Sequence, residues 1–177
     1  MRILSFLTML FLVCSCTTKH NKPRSFEKED NYTTFFSNLN FYSLNDTIFI
    51  YARFSECREW GGHKEIIKVY IKDTTYCANY IKYDTDCDKM DRFGILPLEK
   101  VTDTIVNITE NAESAINKYC HQLIDAKISE NPLGNAGNIF LLQNSKETLK
   151  ISIYDDNKSN VKNFRELVNT LLKKAEL

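Results

Sequence analysis

Three short stretches separated by few residues set the strongest limit on what this chain can fold into. Residues 47–54 (TIFIYARF), 65–72 (EIIKVYIK) and 76–83 (YCANYIKY) are rich in β-branched and aromatic side chains, a composition that suits a half-buried pleated surface. In the second stretch Ile67, Val69 and Ile71 alternate with Lys68, Tyr70 and Lys72, a period of two that marks a strand. Only Asp73, Thr74 and Thr75 separate it from the third. A link that short closes an antiparallel hairpin, because a parallel crossover needs about a dozen residues or more. A three-stranded meander is therefore expected. In its third strand Cys77, Ile81 and Tyr83 share one side, and Tyr76, Ala78, Tyr80 and Lys82 the other.

The period then changes. Ile108, Ala112, Ile116, Tyr119, Cys120, Leu123 and Ile124 recur at intervals of three, four and one, which lays an apolar stripe along a helix over residues 108–128. Asn107 or Thr109 can cap its start. Pro132, Gly134 and Gly137 interrupt the pattern. Residues 138–143 and 148–154 then form a hairpin with Leu149, Ile151 and Ile153 pointing one way, and residues 161–174 make a second amphipathic helix. The order βββαββα predicts an α+β fold of two layers, a mainly antiparallel sheet covered by two amphipathic helices. The stretch 31–44 reads as a short helix or an edge strand. With 43% hydrophobic residues, the chain holds enough apolar surface for one domain over residues 41–177.

Residues 1–16 read MRILSFLTMLFLVCSC. The apolar run is shorter than the roughly 20 residues that cross a bilayer core, so it reads as a cleaved export signal. Its end, Val13-Cys14-Ser15-Cys16, resembles the lipobox of bacterial lipoproteins: an aliphatic residue three before a cysteine, a small residue, then the cysteine. The resemblance implies that residues 1–15 are removed and that Cys16 is acylated, which makes the membrane a partner through the lipid. Thr17 differs from the aspartate that retains lipoproteins in the inner membrane under the enterobacterial sorting rule, so the outer membrane facing the periplasm is expected. Residues 16–40 then serve as lipid anchor and flexible tether. The 23 basic and 23 acidic side chains cancel, which excludes the basic face of a nucleic-acid binder.

After the anchor, Cys57, Cys77, Cys87 and Cys120 remain. An oxidising compartment favours two disulfides. In an up-down-up meander Cys57 and Cys87 sit at one rim, whereas Cys77 faces the side that the first helix, with Cys120 on its stripe, should cover. The expected pairs are Cys57 to Cys87 and Cys77 to Cys120.

The loop from Cys57 to Glu65 (CREWGGHKE) gathers the only Trp, a Gly pair and a histidine. Glu59, His63 and Glu65 are candidates to bind a metal or to use His63 as a base, although no paired His or Cys spacing announces a zinc site. Asp84, Asp86, Asp88 and Asp91 look like the start of a calcium loop, but Lys89 stands where Gly is needed and Ile95 where Glu belongs. Tyr70, Tyr76 and Tyr80 suggest an aromatic strip, and Trp60 a contact residue. No motif calls for a cofactor. These features favour a small binding or accessory domain for a protein or glycan, of inhibitor or immunity type. The alternative is a periplasmic hydrolase, metal-dependent or not, centred on Glu59, His63 and Glu65.

Overall fold

The shortest connection forms as its length requires. Strand β2 (Lys64–Lys72) turns through Asp73 and Thr74, at φ 48° and 71°, into β3 (Thr75–Thr85). Two consecutive left-handed residues match the right-handed twist of a hairpin. The computed structural model describes residues 46–129, 137–155 and 158–173, apart from the side chains of Glu59 and Asp155. The expected export signal and tether, Cys16 and the stretch 31–44 lie outside the described residues.

Strand β1 (Ile48–Arg53) pairs antiparallel with β2, and β3 with β4 (Leu98–Asn107). Helix α1 (Glu110–Ile128) then carries the chain across to β5 (Asn138–Asn144), which pairs with the free side of β1. Strand β6 (Lys150–Asp155) and helix α2 (Lys158–Leu172) complete the domain. The six-stranded antiparallel sheet has the order β4-β3-β2-β1-β5-β6. With both helices on one face, this is the two-layer α+β fold, with one strand more than expected. Strand β4 was hidden because its residues are exposed or only half-buried, so burial imposed no apolar alternation on its sequence.

Register decides which face meets the helices. Ile50 lies opposite Ile67 and Leu142, and Ile67 opposite Tyr80. Directly opposed residues share a face, so this row joins Ile116, Tyr119 and Leu123 of α1 and Phe164, Leu167 and Leu171 of α2 in one core. Phe164 is its hub, with ring centroids 6.1 Å from Phe54, 5.8 Å from Tyr119 and 6.2 Å from Phe140. Helix α1 starts at Thr109, whose side chain accepts a hydrogen bond from Ala112 N–H, and carries Glu110 and Glu113 in its first turn, where the helix dipole favours acids.

The same register corrects one cysteine pair. Ala78 and Tyr80 point into the core beneath the helices, so Cys77 points to the opposite face, where its thiol donates to Asn107 Oδ1 at 3.6 Å. Cys120 lies in the core on the helix side. The sheet separates them, and both are free, buried thiols. The segment YCANYIKY has apolar residues at both parities, and the sequence-based choice took the wrong one. Cys57 and Cys87 are bonded, their Cα atoms 5.4 Å apart, at the rim where the loops after β1 and β3 converge. Alkylation of denatured, unreduced protein is expected to label Cys77 and Cys120 but not Cys57 or Cys87; a peptide linking Cys77 to Cys120 would contradict this register. Cys57→Ser is expected to lower the unfolding free energy by about 3.5 kcal/mol, the loop-closure contribution for cysteines 30 residues apart.

Candidate functional site

Glu65 occupies a core-facing position on β2, opposite Ala52 and Lys82, and is 0% exposed. A carboxylate there needs partners, and they come from three elements. Tyr80 on β3 donates its hydroxyl to Glu65 Oε2 at 2.7 Å. Arg165, next to the hub Phe164 on α2, donates through Nη1 to Oε1. His63, just before β2, places Nε2 3.0 Å from the same Oε1. The other ring nitrogen, Nδ1, lies 2.6 Å from Glu56 Oε2. Phe54 completes the cluster: His63 stacks on its ring at 4.2 Å, and the Arg165 guanidinium lies 4.5 Å from its centroid.

Protons on both ring nitrogens give each carboxylate a donor. The cluster then contains two carboxylates, one imidazolium and one guanidinium, so the charges balance. Arg165 Nη2 also lies 3.2 Å from His63 Nε2, so the guanidinium touches both the carboxylate and the ring. Burial pulls the His63 pKa down, but the hydrogen bonds with Glu65 and Glu56 outweigh it, so the net shift is upward from 6.5. Burial likewise pushes Glu65 up, and hydrogen bonds from His63, Tyr80 and Arg165 bring it below 4.5. Burial, with the Glu65 carboxylate beside it, raises the Tyr80 phenol far above its ordinary range. An imidazole with both nitrogens committed has none free to take a substrate proton. The cluster ties α2 and the loop after β1 to the sheet.

The sequence-based candidates therefore separate. His63, Glu65 and Tyr80 meet, but in the interior, so they are not contact residues for a partner. Glu56 takes the place expected for Glu59, whose side chain lies outside the described part. Tyr76 and Tyr80 turn toward the helices, whereas Tyr70, opposite Cys77, lies on the other face, so the aromatic strip does not exist. The four aspartates do not converge. Asp84 pairs with Lys82 at 3.0 Å and Asp86 with Lys89 at 3.3 Å. Asp86 also caps the short turn at Asp88, and Asp91 accepts from the N–H groups of Phe93 and Ile95. Among the described residues no group of three or more His, Cys, Asp or Glu could hold a metal. A cleft of about 300 Å³ opens beside them, lined by Asp84, Thr85, Asp86, Lys89, Pro97, Leu98 and Glu99.

Trp60 behaves differently. It ends a one-turn 3-10 helix, Arg58–Trp60, that follows Cys57, and it is 47% exposed. Its indole lies against Gly94, where an added β-carbon would fall 2.2 Å from the ring. Gly94 has φ +78°, a conformation that suits glycine. It sits in a turn fixed by Asp91, whose Oδ1 accepts two backbone N–H groups at 2.8 Å and whose carbonyl accepts Gly94 N–H at 3.0 Å. That turn exposes Phe93 (70%) and Ile95 (64%) on either side of Gly94, with the Arg92 guanidinium 4.6 Å from the Phe93 ring centroid, so Trp60, Phe93 and Ile95 border the same turn at the rim. The Cys57–Cys87 bridge joins the two segments that build it. Sequence reasoning missed Phe93 and Ile95, although Asp91-Arg92-Phe93-Gly94 carries the Asp and Gly of a tight turn.

No protein-family model matches the chain, and no curated protein or solved structure is significantly similar to it, so the site is read from its geometry.

The cluster makes a pH prediction. His63, with its raised pKa, contributes stability that is complete below 6.5 and lost as pH rises through the folded-state value. Glu65, with its lowered pKa, contributes stability that is complete above 4.5 and lost as pH falls through the folded-state value. Denaturation midpoints should plateau between pH 4.5 and 6.5 and fall on both sides. His63→Gln is expected to remove the alkaline decline. Glu65→Gln should cost about 3 kcal/mol, the scale for a buried ion cluster that loses one member, and remove this residue's share of the acid decline.

Proposed function

We propose that this protein is a lipid-anchored binding module of the cell envelope that docks a partner protein through the rim formed by Trp60, Phe93 and Ile95. The observation that carries the reading is the exposure of these side chains on a rigid support. A turn held by Asp91 and a neighbouring disulfide has little freedom to lose on binding, and exposed Trp and Phe side chains anchor protein interfaces. Ile95 beside them makes the patch aliphatic as well as aromatic, which suits an apolar protein pocket better than a hydroxyl-rich glycan. The membrane address rests on the lipobox-like Val13-Cys14-Ser15-Cys16 and on Thr17 for the outer membrane.

Two measurements test the two parts. A fatty-acid probe fed to producing cells should label the wild-type chain and not Cys16→Ser; equal labelling removes the anchor. Once a partner has been captured from envelope extracts and identified, Phe93→Ala and Trp60→Ala should each weaken its binding by about 30-fold, the scale of an interface hot spot, and Phe93→Ala should do so with an unchanged melting temperature. Unchanged affinity in both variants rejects this rim as the docking surface.

A further inference from the structure

The β4 edge of the sheet offers a second surface, independent of the rim. Strand β4 is ten residues long, no strand lies beyond it among the described residues, and Val101 (48%) and Ile105 (56%) are exposed along it. A long edge of outward N–H and C=O groups is a template for another strand. The ladder shows which residues those are. Ile108 N–H donates to the Tyr76 carbonyl at 2.9 Å. Antiparallel pairs alternate between bonded and non-bonded, so Val106, Thr104 and Thr102, opposite Ala78, Tyr80 and Lys82, turn their backbone toward β3. Ile105 and Asp103, between them, turn theirs outward. A register shift skips Val101, passing from Lys82 opposite Thr102 to Tyr83 opposite Lys100. Beyond it, Lys100 and Leu98 face outward. The same bulge puts Leu98, Lys100, Asp103 and Ile105 on one face of the sheet, where Lys100 Nζ reaches Asp103 Oδ2 at 2.7 Å.

We propose that β4 pairs with β4 of a second copy of this chain, antiparallel about a two-fold axis between Val101 and Thr102. In that register Lys100 lies opposite Asp103 of the second copy, and Leu98 opposite its Ile105; symmetry repeats both pairs. All four residues present outward backbone, so each pair falls at a hydrogen-bonded position of the new ladder. The two bulges meet at the axis and interrupt the pairing only there. Competing registers lose the match: centring on Asp103 opposes like charges, which is destabilising, and centring on Ile105 leaves Lys100 beyond the paired segment. Charge and hydrogen-bond phase thus select the same alignment. The product is one continuous sheet with six strands from each copy, closed by the two-fold.

The full chain in density-matched detergent, studied by sedimentation equilibrium, tests this. Wild type should show a monomer–dimer equilibrium. Lys100→Asp or Asp103→Lys turns two attractive pairs into two repulsive ones and should weaken association by about tenfold or more, whereas the double reversal should restore it. A mixture of Leu98→Cys and Ile105→Cys proteins should form a disulfide cross-link that neither protein forms alone, because hydrogen-bonded partners have Cα atoms about 5.5 Å apart. A monomer at every concentration, a dimer indifferent to charge reversal, or cross-links at other positions would each overturn the proposal. Circular dichroism melts of the same variants separate lost pairing from lost folding, and the double reversal supplies the folded control.

Discussion

A carboxylate buried near one end of the helix-facing side of the sheet organises the surrounding structure. Glu65 is satisfied only when Tyr80 stands beside it on β3, when Arg165 arrives from α2, and when the loop after β1 has delivered His63 with Glu56 behind it. Removing such charges from water is expensive, and the net gain over an apolar residue of similar size is small or negative. What the arrangement supplies is discrimination. A one-residue slip of β2 would send Glu65 to the other face and turn Ile66 and Lys68 toward the helices, so the apolar core and the ion cluster accept only one register.

The fold around this cluster divides the loops into two kinds. The segment from Phe54 to Gly62 is anchored inward by Phe54, which packs on Phe140 and Phe164, and outward by Cys57. The segment after β3 carries exposed apolar side chains and is ordered by its own aspartates. The disulfide is where the interior-anchored loop lends its rigidity to the self-ordered one. Trp60 lying against Gly94 is the noncovalent counterpart of that link.

Much of the architecture was legible in the sequence, for identifiable reasons. The β2–β3 hairpin followed from a three-residue gap, and both helices from apolar stripes that the core demands. The parity of β3 was not legible, because Tyr76, Ala78 and Tyr80 compete with Cys77, Ile81 and Tyr83, and the winner depends on a hydroxyl finding Glu65. Strand β4 was missed because an exposed edge places no constraint on side-chain character. His63 and Glu65 were visible as neighbours two apart on a strand. Arg165, separated from Glu65 by 100 positions, left no local trace; only the docking of α2 creates that contact. The rim patch was half visible: Trp60 stood out as the only one of its kind, and Phe93 and Ile95 were passed over in a loop examined for metal ligands.

Placing the sheet between Cys77 and Cys120 bears on how the chain matures. If it is exported, four thiols of this domain meet an oxidant before the sheet exists, and any two can collide in the open chain. The native state keeps one bond and hides two thiols, one of them, Cys120, with its pKa pushed up to about 12 by burial. A thiol that stays protonated is a poor nucleophile for exchange. Completing the fold therefore ends the chemistry: once the sheet has buried Cys77 and α1 has buried Cys120, Cys57 and Cys87 are left to find each other at the rim. Correct oxidation thus becomes an outcome of packing: the two thiols that the fold buries are the two that the native bond excludes.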